Sequence, residues 1–468
     1  MFKTLRNAWA IPELRRKILF TLFIVFLYRV GAALPIPFID YSQIQLYANT
    51  TTEGIFAYLN ILSGYAFSSA TLLALSVTPY INASIIMQLL AVAIPALERL
   101  SKDGEEGRRK IEKITRYVTV GIALISSYGY YALLKSMGSG LVMYADEKGF
   151  EKWFSMFVII ACYTAGACLV MWLGERIDEQ GIGNGISMIL FANIVSGLPS
   201  MFVQFHQNLQ AKRPADAFLF KNDYVPDWFK VILWVAVVLV IVGSLIFVTY
   251  MSDAERRIPI QYAKRTVGRK QYGGQSSNLP IKLNMSGVMP IIFASTIISL
   301  PITIMQFAGV KEENFFYKAL SSDSVIYAVL LFVLIIAFAY FYISISFNPV
   351  EVSNNLMQQG GSIPGIRPGR PTALYITKVL NKIILMGALI LGCIACFPLI
   401  LNIVTGGLLN VIAFSGSTLL IVVGVILETV REMEAQMTMN NGNRGNRHND
   451  RRNNQRRTHE KGGSSHAN

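Results

Sequence analysis

The 468-residue chain is 53% hydrophobic and only 15% charged, against roughly 25% charged residues in an ordinary soluble domain. Its mean hydropathy of +0.44 excludes an ordinary soluble globule, and its formal net charge of +14 then speaks first of membrane topology and anionic lipid headgroups. A soluble chain of this length would divide into domains, whereas a helical membrane bundle uses it as one unit at about 20 apolar residues per crossing.

Apolar runs of about 17 residues or more predict spans near 18–34, 75–97, 117–134, 154–173, 186–202, 231–250, 286–308, 325–347, 383–403 and 408–427. The first run, Ile18 to Leu34, is long enough to span and shows no small-residue cleavage site, so it reads as a helix and not as a removable signal. Pro79, Pro290, Pro301 and Pro398 interrupt spans, which membrane helices tolerate where neighbours satisfy the freed backbone groups.

Loop charge sets the orientation. Lys3, Arg6, Arg15, Arg16 and Lys17 precede the first span, and the next loop, Pro35 to Leu75, has no Lys or Arg. Arg99, Lys102, Arg108, Arg109, Lys110, Lys113 and Arg116 follow the second span, Arg256 to Lys282 the sixth, and Arg367 to Lys382 the eighth. With ten spans these basic loops and both termini fall on one side, the cytoplasmic one. The expected organisation is a cytoplasmic segment 1–17, a half at 18–202 with spans one to five, and an external loop at 203–230. A second half at 231–428 holds spans six to ten and two cytoplasmic loops, about 251–285 and 348–380, before a basic tail at 429–468. After Met439 that tail is Asn, Gly, Arg and Ser with almost nothing apolar, so it is expected to be disordered.

Asn60 to Leu73 spoils the tidy count. It is moderately apolar, too short to span and followed by Pro79. Two readings stand: a half-helix dipping in from outside, allowed only where protein or water surrounds it, or an amphipathic surface piece.

Catalytic chemistry is not expected. There is no nucleotide-binding loop, HExxH or GxSxG pattern, and neither a cofactor nor a metal is implied. Cys162, Cys168, Cys393 and Cys396 all lie in apolar runs and read as packing residues. His206 is expected in the external loop, and the other histidines, His448, His459 and His466, lie in the tail. Gly181-Ile-Gly-Asn-Gly185 follows no strand and reads as a flexible or tightly packed start to the fifth span. Arg29, near the outer end of the first span, is the exceptional charge, expected to snorkel to the interface.

The loops carry a resemblance. Glu255-Arg-Arg-Ile-Pro-Ile-Gln-Tyr-Ala-Lys-Arg265 and Pro364-Gly-Ile-Arg-Pro-Gly369 resemble the two long loops of the SecY family, pore subunits of the bacterial protein-conducting channel. Thr78-Pro-Tyr-Ile-Asn-Ala-Ser-Ile-Ile-Met-Gln-Leu-Leu90, Gly107-Arg-Arg-Lys110 and Gly181-Ile-Gly-Asn-Gly-Ile-Ser187 are similar too, in order along residues 10–435. The resemblance implies an all-α polytopic fold of about ten helices in two inverted, pseudo-symmetric halves of five. It implies an hourglass pore between the halves, closed by a plug at about 60–73 that includes Asn60, Ser63, Gly64, Phe67 and Ser68. It further implies a constriction of Ile81, Ile85, Ile186, Leu190, Ile292 and Ile421. Leu190 departs from an expected isoleucine but keeps size and apolarity. A ring of branched apolar side chains can close round a chain and exclude ions by dewetting, and each i,i+4 pair shares one helix face. A lateral gate between the second and seventh spans would involve Thr78, Asn82, Gly287 and Pro290, the last two helping the seventh helix give way.

Arg256, Arg257, Lys264, Arg265, Arg367 and Arg370 would dock the motor ATPase SecA or the phosphate surface of the ribosome, since arginine suits bidentate contact with carboxylate or phosphate. The small subunits SecE and SecG, signal sequences, nascent polypeptides and anionic lipids are the other partners implied; DNA is not. A small-solute transporter would need ionisable residues deep in the spans, and an intramembrane enzyme a catalytic dyad or metal ligands there. Neither feature is present in the sequence.

Overall fold

The computed structural model describes residues 2–40, 63, 66, 69–137, 140–144, 149–210, 226–262, 265–267, 270–272, 276–307, 314–320, 324–404 and 418–439. Each of the first nine expected spans overlaps a helix, and so does the described part of the tenth, 418–427; residues 408–417 of that span lie outside the described residues. Two helices open the chain, α1 (Phe2–Trp9) and α2 (Pro12–Gly31). Pro12 and Glu13 sit in the first turn of α2, where a missing N–H costs nothing and a carboxylate complements the helix dipole. The second span is α3 (Thr78–Ala93), followed by the short α4 (Pro95–Lys102) at a 106° bend. The bend has a local cause: Ile94 is extended, φ −106° and ψ 115°, because a residue before proline is driven out of the helical region.

Spans three to six are α5 (Gly104–Met137), α6 (Phe150–Gln180), α7 (Gly185–Gln210) and α8 (Asp227–Asp253). The seventh is α9 (Met289–Phe307), then come α10 (Phe315–Leu320), α11 (Val325–Ser346), α12 (Pro349–Gln358) and α13 (Arg370–Val404). The last helix, α14, runs over 418–439. Among the described residues six helices are long and apolar enough to cross a membrane alone, and the bent α3–α4 pair makes a seventh if taken as one span. The others explain themselves: α2 carries Arg15, Arg16, Lys17 and Arg29, the apolar stretch of α9 is short, Met289–Ile302, and α14 carries Glu428, Arg431, Glu432 and Glu434.

Several boundaries differ from the sequence expectation. The basic residues from Arg108 to Arg116 are helical, not looped, because α5 begins at Gly104. There Glu105 pairs with Arg109 and Glu106 with Lys110, one turn apart. His206 lies within α7, its ring beside Gln210 and Trp234, and not in the loop expected from 203. The tail expected from 429 is helical to 439, because Val430, Met433 and Met437 form an apolar stripe packed on α1 and α2. Residues 440–468 lie outside the described residues.

The loop expected at 251–285 folds into strands. β1 (Glu255–Tyr262) pairs antiparallel with β4 (Ser276–Lys282), and β2 (Arg265–Val267) with β3 (Lys270–Tyr272). The other side of β1 takes β5 (Gly361–Ser362), giving the order β4-β1-β5. Ile258 and Ile260 on β1 point into a core shared with Ile343, Leu356, Ile376 and Leu380, while Arg257, Pro259 and Gln261 face out, the alternation of a half-buried strand; Arg256, at the strand's start, is exposed as well.

Candidate pore site

Apolar side chains from α3, α7, α9 and α14 meet in one cluster. Leu190 and Ile194 of α7, Ile292 of α9, Val288 just before it, and Ile421 and Val425 of α14 are buried there, with Ile81 of α3 and Ile186 of α7 packed against them. Every residue expected in the constriction is in this cluster except Ile85. Ile85 is buried one turn further along α3, in a second cluster that also holds Ile291, Ala294 and Ile298 of α9. Ile81 packs against both clusters. Sequence reasoning missed Ile194, Val288 and Val425, although each continues an i,i+4 line already chosen: 186, 190, 194; 288, 292; 421, 425.

The cluster is tight because the turn leading into α9 meets α14 at a glycine. A Cβ added at Gly424 would lie 2.5 Å from Val288 Cγ1, well inside the roughly 3.5–4.0 Å of an ordinary carbon–carbon contact. Of the expected gate residues, Thr78 opens α3 and Asn82 lies one turn on, 6% exposed. The Asn82 Oδ1 atom has no hydrogen-bond partner among the described residues. Gly287 has φ +63°, a backbone that only glycine adopts freely. Pro290 is the second residue of α9, so it sits at a helix start, where proline is tolerated, and not inside the helix as an interruption.

Of the expected plug residues, Asn60, Gly64, Phe67 and Ser68 lie outside the described residues, and Ser63 is buried. Nearby, Thr71 bridges to Pro35, and Leu72 N donates to Leu34 O over 2.9 Å. Ser76, two residues before α3, has φ +49° and joins a buried polar network. Tyr28 Oη lies 3.2 Å from Ser76 Oγ, and Asn193 Nδ2 donates to the same oxygen over 3.0 Å. Arg29 donates to Asn193 Oδ1 over 3.2 Å and to Ser196 Oγ. The snorkelling expected of Arg29 is thus corrected: a guanidinium inside a bundle finds acceptors on α7, and side-chain acceptors within reach satisfy it without a path to the interface. Asn193 adjoins Ile194, so this network fixes α7 against α2 and the root of α3 beside the apolar cluster.

On the basic end the cluster abuts a cleft of about 460 Å³, whose lining includes Val288 and Gly424 as well as Lys282, Asn284, Glu428 and Arg431. Burial pushes the Lys282 ammonium down from its ordinary value, and nearby Arg431 adds to that. Arg431 in turn holds the end of α8, donating to Ser252 O at 2.8 Å and to Asp253 Oδ1 at 2.9 Å. Beyond the cleft lies the β4-β1-β5 sheet, which unites the two long basic loops. Arg256 and Arg257 are exposed on β1, and Arg367 and Arg370 are exposed after β5. The second loop is braced by Thr372 Oγ1 donating to Arg367 O and Ser353 Oγ to Gly369 O. Lys264 lies outside the described residues, and Arg265 opens β2.

The apolar cluster thus adjoins both a cleft with polar lining and the buried Arg29–Asn193–Ser76 network. No group of three metal-ligating side chains occurs among the described residues. The family description SecY matches residues 71–430. Curated relatives agree along nearly the whole chain: the protein translocase subunit SecY of Streptomyces galbus is 40% identical over 454 residues, covering 94% of this chain and 99% of that protein. That of Mycobacterium tuberculosis is 40% identical over 447 residues, covering 92% and 96%. The chain belongs to the SecY family. Solved structures carry the same fold: a protein-conducting channel superposes with a TM-score of 0.63 at 16% identity, covering 92% of this chain and 97% of that one. Sec61 from the canine ribosome–channel complex does so at 0.58 and 16%, with 92% and 97% covered. As a SecY-family membrane protein, the chain has its helices in the two inverted halves of that fold.

Proposed function

We propose that the chain is the pore subunit of a protein translocase, a passive gated channel that conducts unfolded polypeptides across the cytoplasmic membrane and releases apolar segments sideways into lipid. The observation that carries this is the convergence of Ile81, Ile186, Leu190, Ile292 and Ile421 from four helices into one apolar cluster beside a polar cleft. Aliphatic side chains dewet a narrow passage when it is empty and pack without specificity around whatever chain fills it. The α3–α9 seam, where Ile85 shares a buried cluster with Ile291, Ala294 and Ile298, is the sideways exit, with Thr78, Asn82 and Gly287 at its margins. Segment 60–73 is the plug.

The basic end faces the cytoplasm, as the excess of Lys and Arg in the loops requires, so both termini lie there. The paired basic loops form the docking platform for SecA or the ribosome, and SecE and SecG complete the channel. The canine Sec61 relative was solved in a ribosome–channel complex, which supports the ribosome as a partner. Energy comes from those partners, since the sequence has no nucleotide-binding motif.

The test is an arrested secretory chain carrying a cross-linker, presented to channels with Ile81→Cys, Ile186→Cys or Ile292→Cys. Adducts at all three positions are expected. A small-solute carrier would give none, and that result would overturn the reading.

A further inference from the structure

The cleft of about 460 Å³ on the basic side of the apolar cluster lies between the turn into α9 and the face of α14. Its size is that of clefts which hold small ligands and side chains. Apolar groups, Met285, Val288 and Leu427, share the lining with Lys282, Asn284, Glu428 and Arg431.

The charges around this cleft do not cancel one for one. Arg431 is engaged, donating to Asp253 Oδ1 at 2.9 Å and to Ser252 O at 2.8 Å. Glu255 is engaged by Arg257 at 2.7 Å, and Lys282 lies in the field of both Asp253 and Glu255. Glu428 is left over. It is exposed and makes no hydrogen bond or ion pair among the described residues. Glu432, one turn on along α14, adds its negative charge. The oxygens of Glu432 accept from Gly183 N at 2.7 Å and Gln436 Nε2 at 3.0 Å, neutral donors that leave its charge in place. Across the cleft, Asn284 Oδ1 is buried with no hydrogen-bond partner among the described residues, and an acceptor so placed favours any donor that reaches it. In a chain of net charge +14, the cleft beside the seal therefore has a spare carboxylate and a spare acceptor.

We propose that Glu428, with Asn284 opposite, is a cation station on the cytoplasmic wall of the pore, which engages a lysine or arginine side chain of the polypeptide in transit just before the seal. A chain arriving from the cytoplasm meets Glu428 before Val425 and Ile421, which lie deeper on the same helix. The separation of Glu428 from Ile421 is about 10 Å along the axis, at 1.5 Å per residue. A basic side chain dwells there because it gains an ion pair that it must give up to enter the apolar constriction. A glutamine gains no ion pair there, and a glutamate is repelled. This rests on the channel function proposed above.

Two experiments test it in the full chain assembled with its partner subunits in vesicles. In the first, an arrested secretory chain carries one lysine, moved a residue at a time, and is treated with a water-soluble carbodiimide. The reagent condenses the lysine amine with a carboxylate to an amide and takes up the water as its urea. An adduct is expected in one narrow register and is lost in Glu428→Gln. No adduct in any register, or one that survives Glu428→Gln, would overturn the station. A chain that never reaches a cross-linking cysteine in Ile186→Cys would instead strike at the channel reading itself. In the second, export is timed for a preprotein with a lysine pair and for its glutamine twin, as a ratio within one preparation of vesicles. The lysine form is expected to be slower by about two- to fivefold, the worth of an exposed ion pair. Glu428→Gln brings the two forms together, and Asn284→Asp, which adds a second carboxylate, drives them further apart. Equal rates in the unsubstituted channel would overturn the proposal, and a ratio that either substitution leaves unchanged would overturn the role of that residue.

Discussion

Gly424→Ala probes the seal through a single methyl group. Gly424 lies one turn beyond Ile421 on α14, and its added Cβ would meet Val288 Cγ1 at 2.5 Å and Cγ2 at 3.5 Å. The nearer contact is short by about 1 Å of ordinary van der Waals separation. Val288 is buried in the turn before α9 and Gly424 lies within α14, so either Val288 leaves its rotamer or that turn and α14 separate. Overpacking of this size costs about 1–3 kcal/mol, which corresponds to a shift of about 5–150-fold in a two-state equilibrium. Charged to the closed state, that shift appears as ion leak through unoccupied channels and as export of preproteins with defective signal sequences. Val288→Ala removes both offending carbons, so the double variant Gly424→Ala/Val288→Ala should recover most of the closure. The assay is iodide or potassium flux from proteoliposomes, with the double-mutant cycle giving the coupling. A leak in Gly424→Ala that persists unchanged in the double variant would refute the α9–α14 contact as part of the seal.

Other expectations follow from the same geometry. Ile421→Asn puts an amide inside the apolar cluster, so water should enter, ions should leak and defective signals should pass; a channel still exporting only intact signals would remove Ile421 from the constriction. Arg367→Glu should reduce SecA-driven export more than ribosome-driven insertion, and equal loss of both would point to misfolding of the loop. Asn193→Leu strands Arg29 and Ser76 without a shared partner, which costs about 1–3 kcal/mol for a buried polar group. Its thermal midpoint in detergent should fall, and Arg29→Met added to it should restore part of the loss, as removal of both members of a buried polar pair is milder than removal of one.

The spans were legible because a lipid-facing or buried helix must be apolar over most of its length, and α8 or α11 hardly carries a charge within its core. Helix faces were legible too: Ile186 and Leu190, spaced by four, do share a surface. What periodicity does not encode is which faces from distant helices meet, so Val288 and Val425 escaped although they extend chosen lines. Arg29 was misread because a lone charge near a helix end has two solutions, water or a partner, and the partner Asn193 is far away in sequence. The strand β1 hid behind its arginines. Its alternation, with Ile258 and Ile260 inward, is evident only once charged side chains are accepted as the outer face of a sheet. The helical extension to 439 hid in the same way, its stripe of Val430, Met433 and Met437 set among charged residues.

The β4-β1-β5 sheet determines where an outside force enters the molecule. The core beneath it draws on α11, α12 and α13, with no described residue earlier than Ile258 among its buried members, and β1 itself continues from α8 after a single residue, Ala254. Loads applied at Arg256 or Arg367 therefore fall on the second half alone. The sheet is a handle fixed to one leaf of a door, and the other leaf feels the pull across the apolar cluster that the two halves share.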